Sequence, residues 1–239
     1  QNPATGIIYQ NDEYGQDGLT GYKEAIVAYH LHDVGQASYA ATDTNFTAQV
    51  SQLKAAGAKY VFLTAIPSVT ASIIGTAYQL GYNPQWILQS PAFSLGLLTV
   101  PALKPLIERA WVVSQGAAWG DTSVPGMAQL LQDVAKYYPN QKPDGYFEFG
   151  YTESWITYAI LKKALDNHDI IRDGLFNAFE SLKSVDLGGL YPPVTYGSSP
   201  DQRVPTRDSV VYQIDAASPA GVKPLTADFT GSAAMQSHF

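Results

Sequence analysis

Cysteine is absent from the 239 residues. That excludes a disulfide framework, a thiol nucleophile and zinc held by thiolates. Basic residues are scarce: 14 Lys and Arg stand against 21 Asp and Glu, for a formal net charge of −7. Phosphate binding needs clustered cations. No Lys/Arg cluster occurs along the chain, so no nucleic-acid partner is expected. No apolar run approaches the roughly 20 residues of a bilayer-spanning helix, and no signal-peptide pattern is present. A start such as Gln1-Asn2-Pro3-Ala4-Thr5-Gly6 suits a mature exported protein, a cytosolic protein or a trimmed one. What is present is a balanced composition, 46% hydrophobic and 15% charged. That suffices for one or two packed domains of roughly 100–200 residues each.

The first half alternates strand and helix patterns. Gly6-Ile7-Ile8-Tyr9 is an apolar strand, and residues 11–18 read as a polar, glycine-bearing turn. Leu19, Tyr22, Ala25, Ile26 and Tyr29 then recur at helical spacing. A second strand falls near residues 34–39. Thr42-Asp43-Thr44-Asn45 supplies N-cap types before a helix with Phe46, Val50 and Leu53, which Gly57 ends. Tyr60-Val61-Phe62-Leu63 is continuously apolar, as in a strand buried on both faces. A helix follows the turn at Ile66-Pro67-Ser68 and stops at Gly81; Trp86-Ile87-Leu88 and Trp111-Val112-Val113 are further strands. This order predicts an α/β fold, a parallel sheet flanked by helices. Ligands of such sheets sit beyond the carboxyl ends of the strands.

The second half is helix-rich, with helical spacing over residues 127–137, 152–167 and 174–182. A glycine- and proline-rich loop without elements of its own is expected over 187–207, before a strand over 209–214. The three helices lack a sheet to cover, so this half reads as part of a domain whose other part lies outside the chain.

Residues with chemical potential are few. His30 and His32 form an H-x-H pair, but no third ligand completes a metal site; a surface pair after a helix is the alternative. Asp12 and Glu13 are adjacent carboxylates whose side chains diverge. Ser90 lacks the G-x-S-x-G elbow, and only His168 and His238 follow it as candidate bases. Gly15-Gln16-Asp17-Gly18 lacks both phosphate-loop patterns and reads as a turn that leaves a helix N-terminus open to an anionic group. Asn45-Phe46-Thr47 fits a glycosylation acceptor or a helix start, and the helix start is the better reading. Tyr14 follows a strand end within a polar stretch, where an aromatic with a polar tip suits a ligand cleft or packs into the core.

Ordered motifs resemble a known family. Residues 6–18 are similar to the start of the second lobe of type I periplasmic binding proteins, the branched-chain amino-acid group in particular. Residues 43–50 and 54–62 resemble that group's "T-D-F-S-A-Q-V" and "K-A-A-G-A-D-V-V-F" stretches. Phe149-Gly150-Tyr151, before a long helix, resembles its "G-Y-D-A" helix start, and residues 186–196 resemble its Gly-Pro loop. The resemblance implies two Rossmann-like lobes closing over a ligand. Residues 1–114 and 208–239 would form the second lobe, and 115–207 the rear, largely helical remainder of the first. About 120 residues of the first lobe would precede the chain.

The resemblance also implies site residues. The family's tyrosine after the first strand matches Tyr14, and its contact after the third strand matches Ala65 and Ile66. The acidic residue that holds a ligand ammonium falls at Ser90, beside Gln89. Serine cannot supply that charge-assisted bond. Trp119 and Tyr151 are secondary cleft candidates. The implied function is non-enzymatic: an extracytoplasmic receptor, periplasmic or extracellular and lipid-anchored through a preceding segment. It would deliver an amino acid or related small organic solute to an ABC transporter permease. It would need no metal or cofactor and act as a monomer. A sensor domain on the same fold and an α/β hydrolase using Ser90 are the alternatives.

Overall fold

The computed structural model describes residues 2–236. The chain divides into two compact units. One comprises the residues up to Ser114 together with those from Ser209 onward, and the other is Gln115–Asp208.

Unit 1 contains β1 (Ala4–Gln10), α1 (Glu13–Ala28), β2 (His32–Tyr39), α2 (Thr47–Ala55), β3 (Tyr60–Thr64), α3 (Pro67–Gln79), β4 (Gln85–Gln89), α4 (Lys104–Ile107) and β5 (Trp111–Ser114). Unit 2 carries α5 (Pro125–Tyr137), α6 (Gly145–Asp166), α7 (Arg172–Ser181), β6 (Ser184–Val185) and β7 (Val194–Thr195). The chain then adds β8 (Asp208–Ile214), β9 (Val222–Pro224), β10 (Phe229–Thr230) and α8 (Ser232–Gln236) to unit 1.

The five first strands run parallel in the order 2-1-3-4-5, and β8 joins β5 antiparallel. Both faces of β1 are covered: Ile7 and Ile8 are each 0% exposed. Ile7 packs with Leu19 and Tyr22 of α1. Gly6, on the other face, lies against Leu53 of α2. The expected α/β fold, a mostly parallel sheet flanked by helices, is what forms.

Several boundaries differ from the sequence expectation. The turn expected over 11–18 is two residues long, because Asp12 caps α1 and the helix begins at Glu13. Gly15 and Gly18 are therefore helical. Helix α2 has no side-chain cap at Phe46; Asn45 Oδ1 instead accepts the Thr47 N–H at 2.9 Å, one residue earlier than a cap. Helix α6 starts at Gly145, capped by Asp144, so Phe149-Gly150-Tyr151 lies within the helix and not before it. The segment 187–207 is not free of structure: β7 pairs with β6, and Pro200–Gln202 forms a 3-10 turn.

Four helices of this chain end in the same way. After α2 and α3, Gly57 and Gly81 adopt positive φ, and paired N–H bonds run back to the last turn. After α1 and α6 the same role falls to His30 (φ 50°) and His168 (φ 56°). His30 and Leu31 donate to Val27 and Ile26; His168 and Asp169 donate to Leu165 and Ala164. His30 is thus a helix terminator outside β2, not half of a strand-borne H-x-H pair. No cluster of three metal-capable residues occurs among the described residues.

In unit 2, Met127, Leu130 and Leu190 form a buried cluster with Trp119, Val134 and Tyr151 packed on it. Glu148, in the first turns of α6, is 1% exposed, and its Oε1 has no hydrogen-bond partner among the described residues. Burial pushes its carboxyl from the ordinary 4.5 up to about 8. Another part of α6 is exposed: Tyr158, Leu161 and Leu165 form a stripe at three- and four-residue spacing.

Two predictions follow from these elements. An L side chain at positive φ costs about 1–2 kcal/mol, partly offset by the extra chain entropy that glycine loses. His30→Gly and His168→Gly should each stabilise the fold by about 0.5–1 kcal/mol, read as a higher denaturant midpoint at unchanged m. Because the residues lie in different units, the two gains should add. Glu148 binds its proton more tightly folded than unfolded, so its contribution is present at low pH and is lost as pH rises from 4.5 through about 8. Glu148→Gln should therefore raise Tm relative to the parent above about pH 8 and lose that advantage near pH 4–5.

Candidate functional site

In a sheet ordered 2-1-3-4-5 the chain reverses direction of growth between β1 and β3, and the carboxyl ends of those strands flank a crevice. The residues at that point come from the ends of β1, β3 and β4, adjacent strands about 4.8 Å apart.

Beyond β1 the backbone turns at once into α1. Asp12 is extended (φ −145°, ψ −175°), and its Oδ1 accepts the Gly15 N–H at 3.0 Å. Its other oxygen accepts from the Gln10 amide. The helix N-terminus expected to be open to an anionic ligand is therefore capped by the chain's own carboxylate. The helix sits hard against the strand it leaves: a Cβ at Gly15 would lie 1.7 Å from the Gln10 carbonyl oxygen. A Cβ at Gly18 would lie 2.3 Å from Thr64 Cγ2. Glycine at both positions lets α1 lie this close to β1 and β3.

Tyr14 is the second residue of α1, and from there its phenol crosses to β3. Its hydroxyl donates to the Ala65 carbonyl at 3.2 Å. A second phenol repeats the contact one residue earlier: Tyr39, at the end of β2, donates to the Thr64 carbonyl at 3.1 Å. Tyr39 is 2% exposed and packs edge-on against Phe46, with ring centroids 5.5 Å apart. Burial, then the neighbouring Tyr14 and Asp12, push its hydroxyl well above the ordinary tyrosine value, so it acts as a neutral donor. Two phenols thus hold two successive carbonyls of the β3–α3 turn.

Of the expected contacts in that turn, Ala65 is fully buried, with its carbonyl holding Tyr14. Ile66 is 48% exposed and carries the apolar surface. It is the extended residue before α3 and has no side-chain cap; Pro67 opens the helix. One strand over, Gln89 ends β4 half-buried, and its Oε1 is enclosed without a hydrogen-bond partner among the described residues. Ser90 is exposed and begins a 3-10 turn with Pro91.

The structure therefore brings Tyr14, Ala65 and Ile66 together directly and places Gln89 and Ser90 at the neighbouring strand end. Trp119 and Tyr151 belong to the apolar cluster of unit 2, where Tyr151 donates to Asp133. His168 terminates α6, and His238 lies outside the described residues. No hydrogen bond joins the Ser90 hydroxyl to a base among the described residues. Tyr39 is the site residue that sequence reading missed. Its spacing marks only the end of a strand, and the β2–β1–β3 neighbourhood appears only with the strand order.

Among known proteins, the periplasmic binding protein family matches this chain over residues 4–219. No curated protein matches it. A fatty acid ABC transporter substrate-binding protein from Thermomonospora curvata superposes with a TM-score of 0.86 at 27% identity, covering 99% of this chain and 60% of that one. A branched-chain amino acid ABC transporter from Thermus thermophilus with bound valine gives a TM-score of 0.80 at 14% identity, covering 99% and 63%. An extracellular ligand-binding receptor from Rhodopseudomonas palustris HaA2 gives 0.77 at 15% identity, covering 95% and 64%. The chain spans about 60% of the length of such relatives. With a family match over most of its length, on a mostly parallel sheet ordered 2-1-3-4-5, the chain belongs to the periplasmic binding proteins.

Proposed function

We propose that this chain is the larger part of an extracytoplasmic solute-binding protein that hands a small organic solute to an ABC transporter permease, without chemistry on the solute. Residues 1–114 and 208–239 are read as its second lobe, and 115–207 as the rear of its first. The shorter length against its relatives and the exposed stripe Tyr158, Leu161 and Leu165 support a first lobe completed by chain outside these residues.

The single observation that carries the reading is the Tyr14–Ala65 hydrogen bond at the β1/β3 switch point. It brings the Tyr14 phenol to the residue before the exposed Ile66, an arrangement that suits a ligand with an apolar body. Specificity would then come from closure of two lobes over that body.

The ligand class follows from Ser90. At the position where the amino-acid-binding group is expected to carry an acid, this chain has an exposed neutral hydroxyl. An α-ammonium would lose its charge-assisted partner there. We read the solute as an apolar acid or amide without an α-ammonium, in keeping with the fatty-acid designation of the Thermomonospora protein.

Calorimetric titration of the intact protein should find medium-chain carboxylic acids or their amides binding at least about tenfold more tightly than leucine or valine, the difference of one charge-assisted hydrogen bond. Leucine binding as tightly as its deaminated analogue would overturn the ligand class. Turnover of a bound compound would overturn the receptor reading. Tyr14→Ala should weaken binding about tenfold or more and shift Tm by only a few degrees, consistent with the loss of one hydrogen bond; unchanged affinity would remove Tyr14 from the site.

A further inference from the structure

An open groove lies in unit 1 at the other end of the sheet, where β5 begins and the antiparallel β8 ends. Its volume is about 370 Å³, within the lower range of small-ligand sites. Arg109, Lys223, Glu108, Asp215 and Gln213 line it over an aliphatic floor at Ile214.

Arg109 is the unusual member. The Ala110 N–H donates to the Ile107 carbonyl at 2.9 Å, closing a four-residue turn around Glu108 (φ −57°, ψ 127°) and Arg109 (φ 84°). These are the angles of a type II turn, whose third position favours glycine. The backbone there is well anchored: Arg109 donates to the Ile214 carbonyl, and its own carbonyl accepts from Gln85. The turn thus forms with a residue whose side chain opposes it. No ion pair uses the Arg109 guanidinium among the described residues. Arg109 is exposed, so its guanidinium can meet a partner from solution.

The neighbours leave the guanidinium available. Asp215 is already engaged, accepting the Ala217 N–H at 3.0 Å through one oxygen and meeting Lys223 at 3.5 Å through the other. Lys223 remains half exposed, at 51% for its side chain, so its ammonium keeps donors for a ligand. Glu108 is exposed and makes no ion pair with Arg109 among the described residues. A planar fork beside a compact ammonium is the donor set for a carboxylate or a phosphate.

We propose that Arg109 and Lys223 form a second, small-anion site at the pole opposite Tyr14, taking a free carboxylate or phosphate oxyanion. It is independent of the solute site.

The test is thermal unfolding of the intact protein in succinate, in inorganic phosphate and in chloride at matched ionic strength. Succinate or phosphate at about a hundredfold its Kd should raise Tm by several degrees over chloride, and the arm that responds identifies the oxyanion. Arg109→Gly should abolish that response while lowering the unfolding equilibrium constant about two- to fivefold, because the turn relaxes. Lys223→Gln should reduce the response, and Tyr14→Ala should leave it intact. Equal Tm values in all three salts would overturn the proposal, as would a full response in Arg109→Gly.

Discussion

A methyl group on residue 15 would lie 1.7 Å from the carbonyl oxygen of Gln10. That forbidden overlap governs much of unit 1. With hydrogen in its place, α1 folds back onto the end of β1 within two residues, and Asp12 closes the helix end with its own carboxylate. Gly18, one turn further, gives the same clearance over Thr64. At this proximity the Tyr14 hydroxyl meets the Ala65 carbonyl. The contact of Tyr14 with the turn after β3 thus rests on two side chains that are missing.

Much of this was legible from the chain alone, and what was not has identifiable causes. Strand cores such as Tyr60-Val61-Phe62-Leu63 declare themselves by continuous apolar character. The glycines at 57 and 81 announce helix ends correctly. The glycines at 15 and 18 mislead, because close approach and turn formation demand the same residue. His30 and His168 suggest chemistry by their type, yet both work through the backbone, as left-handed terminators. The pairing of β6 with β7 involves two residues on each side, too short for any periodic signal. Tyr39 escaped notice because its partner, the Thr64 carbonyl, is 25 residues away and two strands across the sheet.

Unit 2 poses a different balance. Its core holds Met127, Leu130 and Leu190 in full burial, while α6 leaves Tyr158, Leu161 and Leu165 in water. Each apolar square ångström so exposed forgoes about 25 cal/mol. The same helix buries Glu148 with one oxygen that has no hydrogen-bond partner among the described residues. Surplus apolar surface outside and an unmet polar atom inside are the two opposite errors of packing, and one helix carries both.

The two phenols at the β1/β3 switch point hold main-chain oxygens, at Thr64 and at Ala65. Every amino acid presents that same carbonyl. The brace is therefore indifferent to the identity of the residue that projects beside it. Ile66 can be exchanged over evolutionary time while the turn keeps its shape. A turn built this way can change the surface it presents by single substitutions, with its backbone as a fixed inheritance.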